Sequence, residues 1–359
     1  MTRPDSQSRS RGAALTSWVQ RQWQHDGWFA TFMRPLAALT ARHVARRRAQ
    51  YAAGEKPVYR APVPVIVIGN IFVGGTGKTP VVIATVQALR ARGWTPGVIS
   101  RGYGVKVGAE PRVGAGELDP AAFGDEPALI AHTAQVPIAV HPRRALAVEA
   151  LLKAYPRTNV IVSDDGLQHL ALARDIEIVV QDGRGVGNGR LLPAGPLREP
   201  ASRLDHVHYV ITNRARAERP STERASRGAH HVDMWLQPDM ARHLATGVER
   251  PLTDFAGAQQ TRRIAAAAGI GNPERFFSTL RAVGINPDPC LALPDHYDYR
   301  QSPFDSVPGE VIFITAKDGI KCRRAPDTRL WEVPVQARFS DPNLFDRIDV
   351  ALRGRATSR

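Results

Sequence analysis

The residues best suited to chemistry in this chain are Val73-Gly74-Gly75-Thr76-Gly77-Lys78-Thr79, where three glycines lead into a lysine and a hydroxyl residue. Glycines let the backbone turn its N–H groups toward phosphate oxygens, Lys78 adds a point charge, and the Thr79 hydroxyl is a ligand type that suits Mg²⁺. The usual form of this loop carries one more glycine at its start, and here that position is Phe72. A chance Gly-Lys-Thr is the competing reading. The flanks argue against it: β-branched residues from Val63 to Ile68 predict a buried strand, and the apolar pattern from Val81 to Leu89 predicts a helix starting near Thr79. Strand, phosphate loop and helix in that order predict nucleotide binding.

Candidate carboxylates fall in two places. Asp164-Asp165-Gly166-Leu167-Gln168-His169 follows the buried-strand run Asn159 to Ser163. Carboxylates at a strand end beside a phosphate loop can hold the Mg²⁺ that bridges nucleotide phosphates, so Asp164 and Asp165 are the metal candidates alongside Thr79. Gln168 and His169 are secondary candidates, since a lone histidine also serves to bond the backbone. The second place is Gly124-Asp125-Glu126-Pro127, ahead of an apolar helical stretch. An acidic pair in a first helical turn is commonly a dipole partner, so spacing leaves its chemistry open. Arg101, in the turn Arg101-Gly102-Tyr103-Gly104, reads as a phosphate contact or a surface arginine, and Arg143, after His141-Pro142, as a phosphate or acceptor contact or a solvated helix-start arginine.

Positioning these residues takes alternating strands and helices. Further strands are expected at Gly97 to Ser100, Val136 to Val140, Ile176 to Gln181 and Val207 to Thr212, which predicts an α/β fold of the phosphate-loop type with a doubly wound, mainly parallel sheet. The long irregular segment Gly187 to Glu199 lies between two of these strands, a placement common for functional loops. A polar stretch at 216–228 is read as a linker separating the core domain, 56–215, from a smaller α/β lobe, 229–350. In that lobe, strands are expected at Val232 to Leu236, Ile264 to Ala268, Val311 to Thr315 and Trp331 to Val335, with a helix at Glu274 to Val283. Gly269-Ile270-Gly271 reads as a tight strand-to-helix turn. The basic end, 351–359, is expected to be disordered.

Residues 1–55 differ in composition. Trp18, Trp23, Trp28, Phe29, Phe32, Leu36 and Leu39 alternate with Arg21, Arg34, Arg42, Arg46, Arg47 and Arg48, a mixture suited to an amphipathic helix lying at a membrane surface. A helix packing its aromatic side on the protein's own core is the other reading. No run nears the roughly 20 apolar residues a bilayer span requires, and the polar opening is no signal peptide. With 48 Lys and Arg against 34 Asp and Glu, the 359-residue chain carries a formal charge of +14, which favours an anionic partner. Charged residues at 23% and hydrophobic ones at 43% exclude a mainly disordered chain. Cys290 and Cys322, far apart, indicate neither a disulfide framework nor a cysteine metal site and fit a reducing compartment.

Several of these motifs, taken in order, resemble the tetraacyldisaccharide 4'-kinase family, the kinases of lipid A assembly. The resemblance rests on Gly69-Asn70 with the phosphate loop, on Ser100 to Gly104, Gly124 to Pro127 and Asp164 to His169, and on Leu191-Leu192-Pro193-Ala194-Gly195-Pro196-Leu197-Arg198-Glu199. Pro294-Asp295-His296-Tyr297 and Thr315-Ala316-Lys317-Asp318 extend it, so that it covers Val63 to Lys321. It implies transfer of the ATP γ-phosphate to the 4'-hydroxyl of an acylated disaccharide 1-phosphate, giving lipid IVA, with ATP and Mg²⁺ required. It implies Asp125 as base with His296 as its partner, Lys78 on the phosphates, and Arg198 and Glu199 lining the cleft. It also implies a peripheral enzyme on the cytoplasmic face of the inner membrane, docked through the N-terminal helix, with no nucleic acid and no obligate protein partner. Two other readings compete: a basic nucleic-acid-dependent ATPase, which lacks a recognisable nucleic-acid module here, and a metallochaperone-type GTPase, whose guanine motif Thr315-Ala316-Lys317-Asp318 matches in part.

Overall fold

The computed structural model describes residues 18–214, 228–257, 263–323, 325 and 327–356. The expected linker at 216–228 therefore lies, apart from Gly228, outside the described residues, as does the chain before Trp18.

The run Val65–Gly69 forms β1, and all five of its residues are buried. Its alternate side chains serve opposite faces of the sheet, Ile66 and Ile68 entering one apolar cluster and Val65 and Val67 another. A strand covered on both faces needs such an unbroken apolar run. The same pattern recurs in β2 (Pro96–Ser100), β4 (Ile138–Val140), β5 (Val160–Asp164), β6 (Ile176–Asp182) and β7 (Tyr209–Asn213). With the short β3 (Arg112–Gly114), β8 (His230–Pro238) and β15 (Val335–Phe339) they form, among the described residues, a nine-stranded sheet in the order β15-β8-β7-β6-β1-β5-β2-β4-β3. Seven of its strands, from β8 to β4, pair in parallel, and β3 and β15 close the two edges antiparallel. Helices α4 (Lys78–Ala91), α6 (Asp125–Ala134) and α10 (Leu344–Ala356) cover one face, and α7 (Arg144–Ala154) covers the other.

A second sheet, β10-β9-β14-β13-β11-β12, is built from β9 (Met240–His243), β10 (Glu249–Pro251), β11 (Ile264–Ala268), β12 (Cys290–Ala292), β13 (Val311–Thr315) and β14 (Leu330–Val333). Helices α8 (Pro273–Ala282) and α9 (Ala316–Cys322) flank it, and α9 packs on α6 of the first lobe.

The lobes do not divide the sequence as its composition suggested. β8 and β15 lie beyond the expected boundary yet belong to the large sheet, where β8 pairs with β7. The second lobe is thus an insertion between two strands of the first, a connection that no local composition encodes. The end also differs from expectation: 351–356 continue α10, because Leu344, Ile348 and Leu352 bury one stripe against the sheet.

The N-terminal segment is helical at 18–24, in α2 (Trp28–Phe32) and in α3 (Arg34–Ala52). Its buried residues are small, Ala30 and Ala37, whereas Trp28 and Phe32 are each 70% exposed, Leu36 50% and Leu39 63%. Trp23 Nε1 donates to the Pro193 carbonyl at 2.9 Å, and Asp26 pairs with Arg190, which pins this segment to the loop before Arg198. Among the described residues, no helix is long and apolar enough to cross a membrane.

Candidate active site

β1 ends at Gly69, and the chain then turns through the phosphate loop into α4, whose first residue is Lys78. Gly77 has φ +92°, and a Cβ there would stand 2.2 Å from the Asn213 side-chain nitrogen. Both facts require glycine. Asn213, at the end of β7, donates from that nitrogen to the Thr76 carbonyl at 3.1 Å, and Asn70 donates to the Gly74 carbonyl at 3.2 Å. Two asparagines thus hold the loop open from below, with Gly74 and Gly75 exposed and Val73 and Thr79 partly so.

Phe72, the anomaly of the loop, is buried and bridges antiparallel to Leu197, and the Arg184 guanidinium stacks on its ring at 4.2 Å. On either side of it Val73 N–H donates to the Pro196 carbonyl at 2.9 Å and Arg198 N–H to the Ile71 carbonyl at 2.7 Å. The aromatic residue therefore fastens the segment Pro196–Arg198 along the loop's entrance. That delivers the Arg198 guanidinium to 3.5 Å from Asp165, whose other carboxylate oxygen lies 3.4 Å from Lys78. Glu199, next in sequence, turns inward: it accepts from Gln168 at 2.7 Å and lies 3.4 Å from Arg203. Gln168 also donates to the Asn70 carbonyl at 3.0 Å. These two candidates tie the loop segments together beneath the cleft.

The two aspartates differ electrostatically. Burial raises the Asp165 carboxyl, but Lys78, Arg198 and Arg144 outweigh it and hold the group below its ordinary value. Asp164 is 1% exposed and accepts from Ser100 Oγ at 3.0 Å, while its Oδ1 has no hydrogen-bond partner among the described residues. Burial, with the negative charges of Glu126 and Asp165 nearby, pushes its carboxyl up to about 7. An orphaned, crowded carboxylate oxygen at the end of β5, whose neighbour β1 leads into the phosphate loop, suits a hard cation. Among the described residues no three His, Cys, Asp or Glu form a metal cage. Mg²⁺ is commonly held by one or two carboxylates together with substrate phosphates.

Arg143 is exposed at the start of α7, and it is Arg144 that enters the site. Arg144 donates to the carbonyls of His141 at 3.0 Å and of Asp164 at 3.2 Å, beneath the aspartate pair, and burial lowers its pKa to about 10. The sequence carried a signal for this choice, since Arg144, Ala147, Val148 and Leu151 share one buried helix face. His169 is held neutral, its pKa lowered to about 4 by burial and then by Arg144 and Arg101. Arg101 itself is exposed after β2.

Across the cleft stands Asp125, in the first turn of α6 behind Gly124, whose φ is +95°. Its Oδ2 lies 2.9 Å from His296 Nδ1 and 3.3 Å from Lys321 Nζ, both from the second lobe. Burial raises this carboxyl, yet the His296 hydrogen bond and the charges of Lys321 and Lys317 bring it below its ordinary value. His296 has φ +57° and lies 6.0 Å, ring to ring, from Tyr103. In the motif Thr315 to Asp318, the fully buried Asp318 accepts from Thr315 Oγ1 at 2.6 Å and from Gly269 N–H at 3.0 Å. It therefore ties α9 to the turn after β11. Sequence reasoning missed Asn213, Arg144 and Lys321.

The family described as Tetraacyldisaccharide-1-P 4'-kinase matches residues 29–353. A Tetraacyldisaccharide 4'-kinase of Bordetella petrii is 68% identical over 348 residues, which are 96% of this chain and 98% of the relative. One of Bordetella parapertussis is 58% identical over 337 residues, 94% and 96% of the two chains. The solved structure of "apo" form LpxK from Aquifex aeolicus in complex with ATP superposes with a TM-score of 0.77 at 25% identity, over 90% of this chain and 99% of that one.

Proposed function

The chain belongs to the tetraacyldisaccharide-1-P 4'-kinase family, and on that premise we propose how its own residues carry the reaction. It is an ATP-dependent kinase of lipid A biosynthesis that phosphorylates the 4'-hydroxyl of tetraacyldisaccharide 1-phosphate. The observation that carries the assignment of roles is the 2.9 Å pair of Asp125 and His296, drawn from two lobes.

In the reaction a bond forms between the sugar 4'-oxygen and the γ-phosphorus, the bond to the β,γ-bridging oxygen breaks, and the hydroxyl proton must be taken up. Asp125, kept ionised by its second-lobe partners, accepts that proton, and His296 orients the carboxylate. Lys78 and the loop N–H groups bind the phosphates, and Arg198 adds positive charge on the same side. Thr79, Asp164 and Asp165 would hold Mg²⁺, which when bound offsets phosphate charge. The exposed Trp28, Phe32, Leu36 and Leu39, with the exposed Arg42, Arg46 and Arg47, support peripheral docking on the cytoplasmic face of the inner membrane.

The test is transfer of label from ATP and Mg²⁺ to tetraacyldisaccharide 1-phosphate in mixed micelles, comparing the intact protein with Asp125→Ala. Labelled lipid from the intact protein and none from the variant is the expected result. Label from both would remove Asp125 as the base.

A further inference from the structure

His296 and Lys321 hold one and the same oxygen of Asp125, Oδ2. Lys321 is 11% exposed and far from free to move. Its ammonium donates to the Tyr297 carbonyl at 3.2 Å, lies 3.6 Å from Asp318, and sits over the Tyr299 ring at 5.1 Å. Asp318 is in turn fixed by Thr315 and Gly269, so the ammonium is aimed by the frame of the second lobe. One helical turn earlier, Lys317 pairs with Asp295 at 3.1 Å, beside His296. The charged groups facing Asp125 from this lobe are thus Lys321 and Lys317, together with His296.

We infer that Lys321 is a positioning residue for the transfer: with His296 it fixes Asp125 Oδ2, leaving Oδ1 for the acceptor hydroxyl, and it makes the base competent only while the second lobe is docked. This rests on Asp125 being the base. A cation on Oδ2 favours the carboxylate over the acid, which keeps a short acidic side chain usable at the pH of the reaction without a histidine-like pKa. The arrangement also separates tasks. Lys78 serves the phosphates and Lys321 serves the base, so loss of either reads differently.

The experiment compares the intact protein with Lys321→Met, Lys321→Arg and Asp125→Asn by pH profiles of kcat/KM, KM for ATP and thermal melting. Lys321→Met is expected to lower kcat at neutral pH by about tenfold or more and to move the acidic limb of the profile up by about one pH unit. KM for ATP should stay within about twofold while Lys321→Arg keeps the parental limb. An unmoved acidic limb in Lys321→Met overturns the inference, whether kcat is retained or lost, since a merely structural defect lowers activity without retuning the base. If Lys321→Met fails to fold, the same comparison is made with Lys321→Gln. Turnover retained by Asp125→Asn would overturn the base assignment, and Lys321's role with it. Turnover lost in Asp125→Asn with a parental limb in Lys321→Met would overturn the role of Lys321 alone.

Discussion

His296 Nδ1 lies 2.9 Å from Asp125 Oδ2, although 171 positions separate the two residues in the chain. The pair joins the two lobes and, with Lys321, holds Asp125 Oδ2 and favours its ionised form. Asp125→Ala should reduce turnover by about 10²–10⁴-fold. His296→Ala should lose less, because Lys321 still holds Oδ2. Both variants should keep ATP affinity in a binding titration. A parallel loss of ATP affinity would show that the pair supports the nucleotide instead.

Lys78→Ala tests the other side of the cleft. It removes the charge nearest Asp165 and should weaken nucleotide use directly, seen as a raised KM for ATP together with a lower kcat. ATP affinity equal to that of the parent would argue that the loop N–H groups suffice.

Gly77→Ala places a methyl group 2.2 Å from the Asn213 nitrogen at φ +92°. The left-handed backbone alone costs about 1–2 kcal/mol for a residue with a Cβ, and the contact must also push Asn213 off Thr76. Nucleotide binding should fall steeply while the fold survives, as read by ATP titration and circular dichroism. Retained affinity would mean that the loop relaxes without Asn213.

Asp164 yields a pH prediction. Its carboxyl, raised to about 7 from an ordinary 3.8 by burial and by Glu126 and Asp165, binds its proton more tightly in the folded than in the unfolded chain. Folding is therefore favoured below this window and progressively penalised as pH rises from about 4 to about 7, with the full penalty above it. In metal-free, nucleotide-free protein, Asp164→Asn should melt higher than the parent at pH 8, and the gap should shrink at pH 5. The same variant should lose turnover with ATP and Mg²⁺. Melting temperatures with identical pH dependence in both proteins would refute the electrostatic account.

Trp28→Ser combined with Phe32→Ser removes two exposed aromatic residues that touch little of the protein body. Burying one such side chain contributes about 1.5–3 kcal/mol, so partitioning onto anionic vesicles should drop at least about tenfold while turnover of a short-chain, micelle-dispersed acceptor is kept. Unchanged vesicle binding in a flotation assay would move the membrane surface elsewhere.

The sequence by itself determined the parts whose physics is local. Val65–Gly69 had to be a buried strand because its residues are β-branched and apolar on both faces, and Gly74 to Thr79 had to turn because glycine alone enters those backbone conformations freely. The helix starts at Lys78 and Asp125 and the strand end at Asp164 are legible for the same reason. Arg144 was missed although it shares the buried face of α7 with Ala147, Val148 and Leu151, a signal the sequence carried. Tertiary structure decided what local pattern does not carry: that β8 returns to the first sheet before the second lobe is inserted, that Phe72 clamps Leu197, and that Glu199 faces Gln168. It also decided that Asp125 meets His296 and Lys321. Backbone conformation follows from neighbours in sequence, whereas a carboxylate's partner and proton affinity follow from whichever side chains the packed lobes bring within a few ångströms of it.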